Sequence, residues 1–136
     1  MDRRGHMCAV SWLVVQDGKL VLECRDLFGI PHPGMLGLPY QIVAKTAAID
    51  KNIIERECVK RYACKVISQD LILDNGFTSD TFSARCYLVH LDRPIQTSDP
   101  YIRLVAPRDA MERAHPLVAE AICRVLETPL EYHMSK

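Results

Sequence analysis

The chain has 136 residues, of which 49% are hydrophobic, enough to bury one core without disulfide staples and suited to a single domain. Lys plus Arg and Asp plus Glu each number 17, so no global field draws the chain to nucleic acid or to an anionic membrane. The six cysteines (Cys8, Cys24, Cys58, Cys64, Cys86 and Cys123) form no C-x-x-C pair and mostly lie in apolar runs, a pattern of reduced buried thiols rather than a disulfide framework or a zinc site.

The first residues, Met1 to His6, lack the apolar segment of a signal peptide, and no apolar run approaches a membrane span. The expectation is a cytoplasmic protein with a mobile tail over 1–6, one domain over 7–127 and a C-terminal tail over 128–136. Cys8 to Val15 is a nearly continuous apolar run rich in β-formers. Asp17-Gly18 breaks it, and Lys19 to Arg25 follows with Leu20, Leu22 and Cys24 on one face, which predicts a β-hairpin. Residues 26–40 hold three prolines and three glycines and read as a structured loop.

Asp50 is placed to cap a helix running to about Ala63. Its apolar stripe is Ile54, Cys58 and Tyr62, while Arg56, Glu57, Lys60 and Arg61 fall together on another arc. A second hairpin follows, from Val66–Leu73 through a turn region at 74–80 to Phe82–Leu91. Beyond a polar link come a short strand near Ile102–Val105 and a helical turn at Asp109–Arg113. Pro116 opens a last helix with a stripe of Val118, Ala121, Ile122, Val125 and Leu126. This order predicts an α+β or α/β sandwich, a mixed sheet between helices.

The sequence from Pro33 to Pro39 (Pro33-Gly34-Met35-Leu36-Gly37-Leu38-Pro39), the hairpin with Asp17-Gly18 at its turn, the pair Arg56-Glu57 on a helix and the terminal helix occur in an order that resembles the Nudix (MutT-like) hydrolase superfamily over about Met7 to Glu127. The resemblance implies that family's α/β/α sandwich. It also implies descent from hydrolases of nucleoside diphosphates linked to another moiety, whose signature is G-x5-E-x7-R-E-U-x-E-E-x-G-U with U apolar. Here that signature is degenerate. Gln41 stands at its first glycine, Ala47 or Ala48 at the next glutamate, Lys60 and Arg61 at the adjacent glutamates, and Ala63 at the second glycine. Arg56-Glu57 keep the R-E pair, and Cys58 and Cys64 keep apolar positions.

In the family those glutamates hold Mg²⁺ or Mn²⁺. Glu57 alone is a poor ligand set for a hard cation, and Lys60 and Arg61 at i+3 and i+4 add repulsion. Two readings of these cations stand side by side: they pair with Glu57 along the helix, or they replace the metal and hold a phosphate directly, Arg61 clamping two oxygens. Glu57 is the residual catalytic and metal candidate by resemblance. Arg56, Lys60 and Arg61, with Tyr40 and His32 from the loop region, are the ligand-binding candidates. Glu23, Asp26, Asp74, Asp80, Asp109 and Glu112 are further carboxylates able to rescue a metal site.

The expected function is a Nudix-fold protein without ordinary metal-dependent pyrophosphohydrolysis. It needs no cofactor and binds a nucleotide or phosphorylated small molecule in a cleft between the Pro-rich loop, the Glu57 helix and the second hairpin. An active hydrolase using non-standard carboxylates with Mg²⁺ or Mn²⁺ is one alternative. A structural or protein-interaction module, such as a homodimer, is the other.

Overall fold

The computed structural model describes residues 7–25, 35–43, 49–76, 82–113 and 120–124. Strand β1 (Met7–Gln16) turns at Asp17-Gly18 into β2 (Lys19–Arg25), pairing Gln16 with Lys19 across two residues. Both turn residues have positive φ, 54° and 75°, the backbone a tight two-residue hairpin requires and that Asp-Gly supplies. After β3 (Met35–Gly37) and β4 (Tyr40–Val43) comes helix α1 (Asp50–Tyr62), then β5 (Val66–Gly76), β6 (Phe82–Leu91), β7 (Ile102–Val105) and α2 (Pro107–Arg113), with a further helical stretch at 120–124. No helix among the described residues is long and apolar enough to cross a membrane.

The sheet runs β3-β2-β1-β6-β5, with β4 also paired to β1 and β7 to β2. Its central pair, β1 with β6, is parallel from Met7 opposite Phe82 to Val14 opposite Val89, while its other pairings are antiparallel. The sheet is therefore mixed. Alternation along the strands divides the core in two. Val10, Trp12, Val14, Val21, Tyr87 and Val89 pack with Ile53, Ile54, Cys58 and Tyr62 of α1. The opposite face packs Ala9, Leu13, Leu20, Leu22, Cys86 and Leu88 with Ala110 of α2 and with Ala121 and Ile122. Helices thus cover both faces of one mixed sheet, as the element order predicts.

The expected loop over 26–40 is only partly a loop. Met35–Gly37 pairs with β2, Tyr40 begins β4, and Leu36 and Leu38 are buried. Proline and glycine mask strands this short, whose hydrogen-bond partners lie far away in sequence. Strand β5 likewise runs on to Gly76, past the expected end at Leu73. The turn residues beyond it, the two proposed tails, and Pro116, Val118, Val125 and Leu126 lie outside the described residues.

Helix α1 buries Ile54, Cys58 and Tyr62 as its spacing predicts, and Ile53 beside them. Its ends differ from expectation. Ile49, not Asp50, is the cap residue and makes no side-chain cap bond. Asp50 sits one position later, in the first turn, with its carboxylate drawn into the sheet by a stronger partner. Arg85 Nε and Nη2 donate to its two oxygens at 2.6 and 3.0 Å, and the Tyr87 hydroxyl donates at 2.9 Å. Asp50 has no exposed surface, so this pairing replaces the water the carboxylate gave up. Burial and the Asp50 bond push the Tyr87 hydroxyl up to about 12, which keeps it a donor. At the other end Ala63, φ 57°, closes the helix in the left-handed conformation, its N–H donating to the Val59 carbonyl and the Cys64 N–H to that of Cys58. Glycine adopts that backbone without the clash a Cβ brings.

Two outcomes follow for stability. Removing the carboxylate by Asp50→Ala takes two hydrogen bonds and the opposite charge from a largely buried guanidinium, and a loss of about 3–5 kcal/mol is expected in urea denaturation. A loss near that of an exposed pair, below about 1 kcal/mol, would contradict the burial described. Ala63→Gly is expected to raise stability by about 1 kcal/mol in the same assay, because it relieves the left-handed strain.

Candidate functional site

The arc of α1 that the sequence groups together is split by the sheet. Glu57 and Arg61, one turn apart, face inward, whereas Arg56 and Lys60, also one turn apart, are exposed. Glu55 is exposed as well. Opposite the inward pair lies Glu23. It alternates with Leu22 and Cys24 along β2, so it shares the α1 face with Val21.

Arg61 joins the two carboxylates. Its Nε donates to Glu57 Oε1 at 3.0 Å, and its Nη1 donates to Glu23 Oε2. The guanidinium also lies over the Trp12 ring, 5.4 Å from its centroid, within cation–π range. The side chains of Glu57 and Glu23 are 7% and 15% exposed, so each needs a counter-charge, and Arg61 serves both. Burial by itself would lower the Arg61 pKa, but the Glu23 charge and the Glu57 hydrogen bond outweigh it and raise the guanidinium further above its ordinary value. Arg61 is therefore a fixed cation at every accessible pH. Its Nη2 has no acceptor among the described residues, and a quarter of the side chain meets solvent. The clamp fixes one side of the fork and leaves the other free to donate.

The remaining sequence candidates are more dispersed. Tyr40, half-buried, pairs in register with Ser11 and packs on the α2 face of the sheet, opposite Glu57. His32, Asp26 and Asp80 lie outside the described residues, as do the Pro-rich loop tip and hairpin turn that were to border the cleft. Asp74 is exposed on β5. Asp109 and Glu112 line a cleft of about 380 Å³ on the α2 face, with Lys19, Cys24, Leu36 and Arg103. Among the described residues no group of three His, Cys, Asp or Glu side chains is arranged to hold a metal ion.

Sequence comparison finds no matching family model and no similar curated protein. Comparison of folds is decisive. A MutT NUDIX hydrolase from Burkholderia pseudomallei superposes with a TM-score of 0.67 at 18% identity, over 88% of this chain and 97% of the other. The NUDIX domain of NrtR from Shewanella oneidensis, solved with ADP ribose, gives 0.67 at 14% identity, over 92% and 89%. The chain has the Nudix fold. A third structure, the C-terminal domain of mouse MUTYH in complex with human PCNA, matches with a TM-score of 0.63 at 13% identity, over 90% and 88%.

Nudix hydrolases generally use Mg²⁺ or Mn²⁺, and here the donor set does not suit such an ion. A hard divalent cation takes several oxygen ligands. Glu57 and Glu23 are already bridged by a guanidinium, which engages oxygens such an ion would need. Sequence reading reached Glu57 and Arg61 but missed Trp12, and it weighed Glu23 only as a spare metal ligand. The signal for Glu23 was the strand alternation, which sets it opposite the Leu20-Leu22-Cys24 face.

Trp12 is the only tryptophan and is fully buried, so its fluorescence reports on the clamp. Arg61→Ala is expected to change its emission intensity by removing the cation above the ring, while Lys60→Ala leaves the spectrum as it is. Superimposable spectra for Arg61→Ala and the unaltered protein would contradict the stacking.

Proposed function

We propose that this chain is a non-hydrolysing Nudix-fold protein that binds a phosphorylated ligand of nucleotide type, with Arg61 as the anion-binding group. The observation that carries this reading is the clamped guanidinium: held by Glu57 and Glu23, it keeps Nη2 free among the described residues to donate to phosphate oxygens. A fork already fixed in place loses little side-chain entropy when it binds. Lys60 and Arg56, exposed on the same helix, add positive charge nearby. The NrtR domain with ADP ribose supports the ligand class, because it is a similar fold solved with a nucleoside-diphosphate compound. Loss of metal-dependent hydrolysis follows from the same clamp, which engages the carboxylates a cation would need.

A second reading, a protein-interaction module, has its own observation. Strand β5 is an edge of the sheet, and its Ile67 and Leu71 are 68% and 50% exposed, an uncommon display for a free edge. The MUTYH domain seen with PCNA supports that use of the fold.

Titration calorimetry with ADP-ribose and ADP in EDTA separates the readings. Binding is expected, and Arg61→Ala is expected to weaken it about tenfold or more, the worth of one charge-assisted hydrogen bond. Manganese-dependent release of phosphate that Glu57→Gln abolishes would instead establish an active hydrolase. Absence of both effects, with a dimer in sedimentation that Leu71→Lys disrupts, would favour the interaction module.

A further inference from the structure

We propose that strand β5 is a self-complementary edge on which a second copy of this chain docks, antiparallel about a two-fold axis at Gln69. This names the occupant of the edge raised above as a second use of the fold, and it stands whether or not a phosphorylated ligand binds.

Among the described residues β5 pairs with β6 alone, so its other side presents backbone groups to a further strand. Proline and bulges are the usual means of blunting such an edge. No proline occurs in Val66–Gly76, and the irregularities in its pairing with β6 fall before Ser68 and after Leu71. The run between them is regular, and an exposed apolar side chain stands at each end of it. Ile67 is the extra residue of the first bulge, with no partner of its own in the β6 ladder. Leu71 stands opposite Tyr87, on the α1 side of the sheet, and is half exposed there.

The spacing of these two residues selects the partner. Residues opposite each other in an antiparallel pair share a face, so a two-fold axis through the sheet must pass at a residue rather than between two. An axis at Gln69 sets Ile67 of each copy opposite Leu71 of the other, and covers both apolar side chains twice over. Charge agrees with the direction. Lys65 precedes the strand and Asp74 lies near its end, and neither side chain is in an ion pair among the described residues. Antiparallel docking lays the Lys65 end of each copy beside Asp74 of the other, whereas parallel docking sets like charge against like. The same register carries one repulsive element. Asp70, opposite Leu88 and so on the α2 side, meets Ser68 of the other copy and lies about 7–8 Å diagonally from the second Asp70.

Sedimentation equilibrium in EDTA, with no nucleotide present, tests this. The unaltered protein is expected to show a monomer–dimer equilibrium that moves to dimer with concentration. Ile67→Asp and Leu71→Lys are each expected to sediment as monomers. An equimolar mixture of the two is expected to dimerise again, because one Asp–Lys pair and one Ile–Leu pair then face each other across the axis. Asp70→Asn, which keeps the shape of the edge and removes the repulsion, is expected to tighten the dimer about twofold or more. If either charged variant does not fold, Asp70→Asn carries the comparison, and a dimer it fails to tighten overturns the register. The proposal is overturned if the unaltered protein is monomeric throughout the accessible concentration range. It is equally overturned by a dimer that Ile67→Asp and Leu71→Lys leave intact, or by folded variants whose mixture stays monomeric. Leu71→Lys is expected to keep the ADP-ribose affinity of the unaltered protein, so this proposal and the anion-binding reading fail separately.

Discussion

Charge matching across the α1 face of the sheet is the constraint on which the rest of this structure depends. Strand alternation turns Arg85 of β6 and Glu23 of β2 away from water and toward α1, one residue of each sign. The helix answers each with its opposite. Asp50, in its first turn, meets Arg85, and Arg61, in its last turn, meets Glu23. Both choices also agree with the helix dipole, which favours an anion at the N-terminal end and a cation at the C-terminal end. An apolar stripe alone would let a helix rotate or slide by a turn at modest cost. Two ion pairs of opposite polarity favour one direction and one register, since a slip would part buried charges from their opposites.

That arrangement sets what position 61 must supply. A glutamate at position 61 would face Glu23 and Glu57 and would need an external cation to hold three carboxylates together. Arginine at the same place closes the group from within, and Trp12 beneath it accommodates a flat cation. Around it stand the hairpin turn, the stripe of Ile54, Cys58 and Tyr62, and the left-handed Ala63 after α1.

Much of the fold was legible because it is written at short range. Asp17-Gly18 specifies its own turn, and the spacing of Ile54, Cys58 and Tyr62 specifies a helix face. What was hidden depends on neighbours distant in sequence. Met35–Gly37 becomes a strand only because β2 offers it an edge, and Asp50 abandons the cap role only because Arg85, 35 positions later, outcompetes a backbone N–H. The candidate site divides in the same way. Glu57 and Arg61 could be found from one helix, whereas the partnership with Glu23 spans 38 positions and appears only when β2 and α1 are packed. An arginine within Ala84-Arg85-Cys86-Tyr87 was itself a signal, because a charge in the middle of an apolar strand requires a buried counter-charge.

The parallel seam of β1 and β6 has a consequence for how the molecule is made. Its partners stand 75 positions apart, Cys8 beside Ser83, so the strand at the centre of the finished sheet is synthesised well before the partner that flanks it. Until β6 emerges, β1 can hold only its antiparallel neighbours β2 and β4, and the apolar side chains bound for both layers of the core have one flank open. Long-range pairing of this kind makes folding slow relative to helical proteins of the same size. The nascent chain is consequently most prone to self-association in the interval between completion of α1 and arrival of β6, when a long apolar strand lacks its central partner.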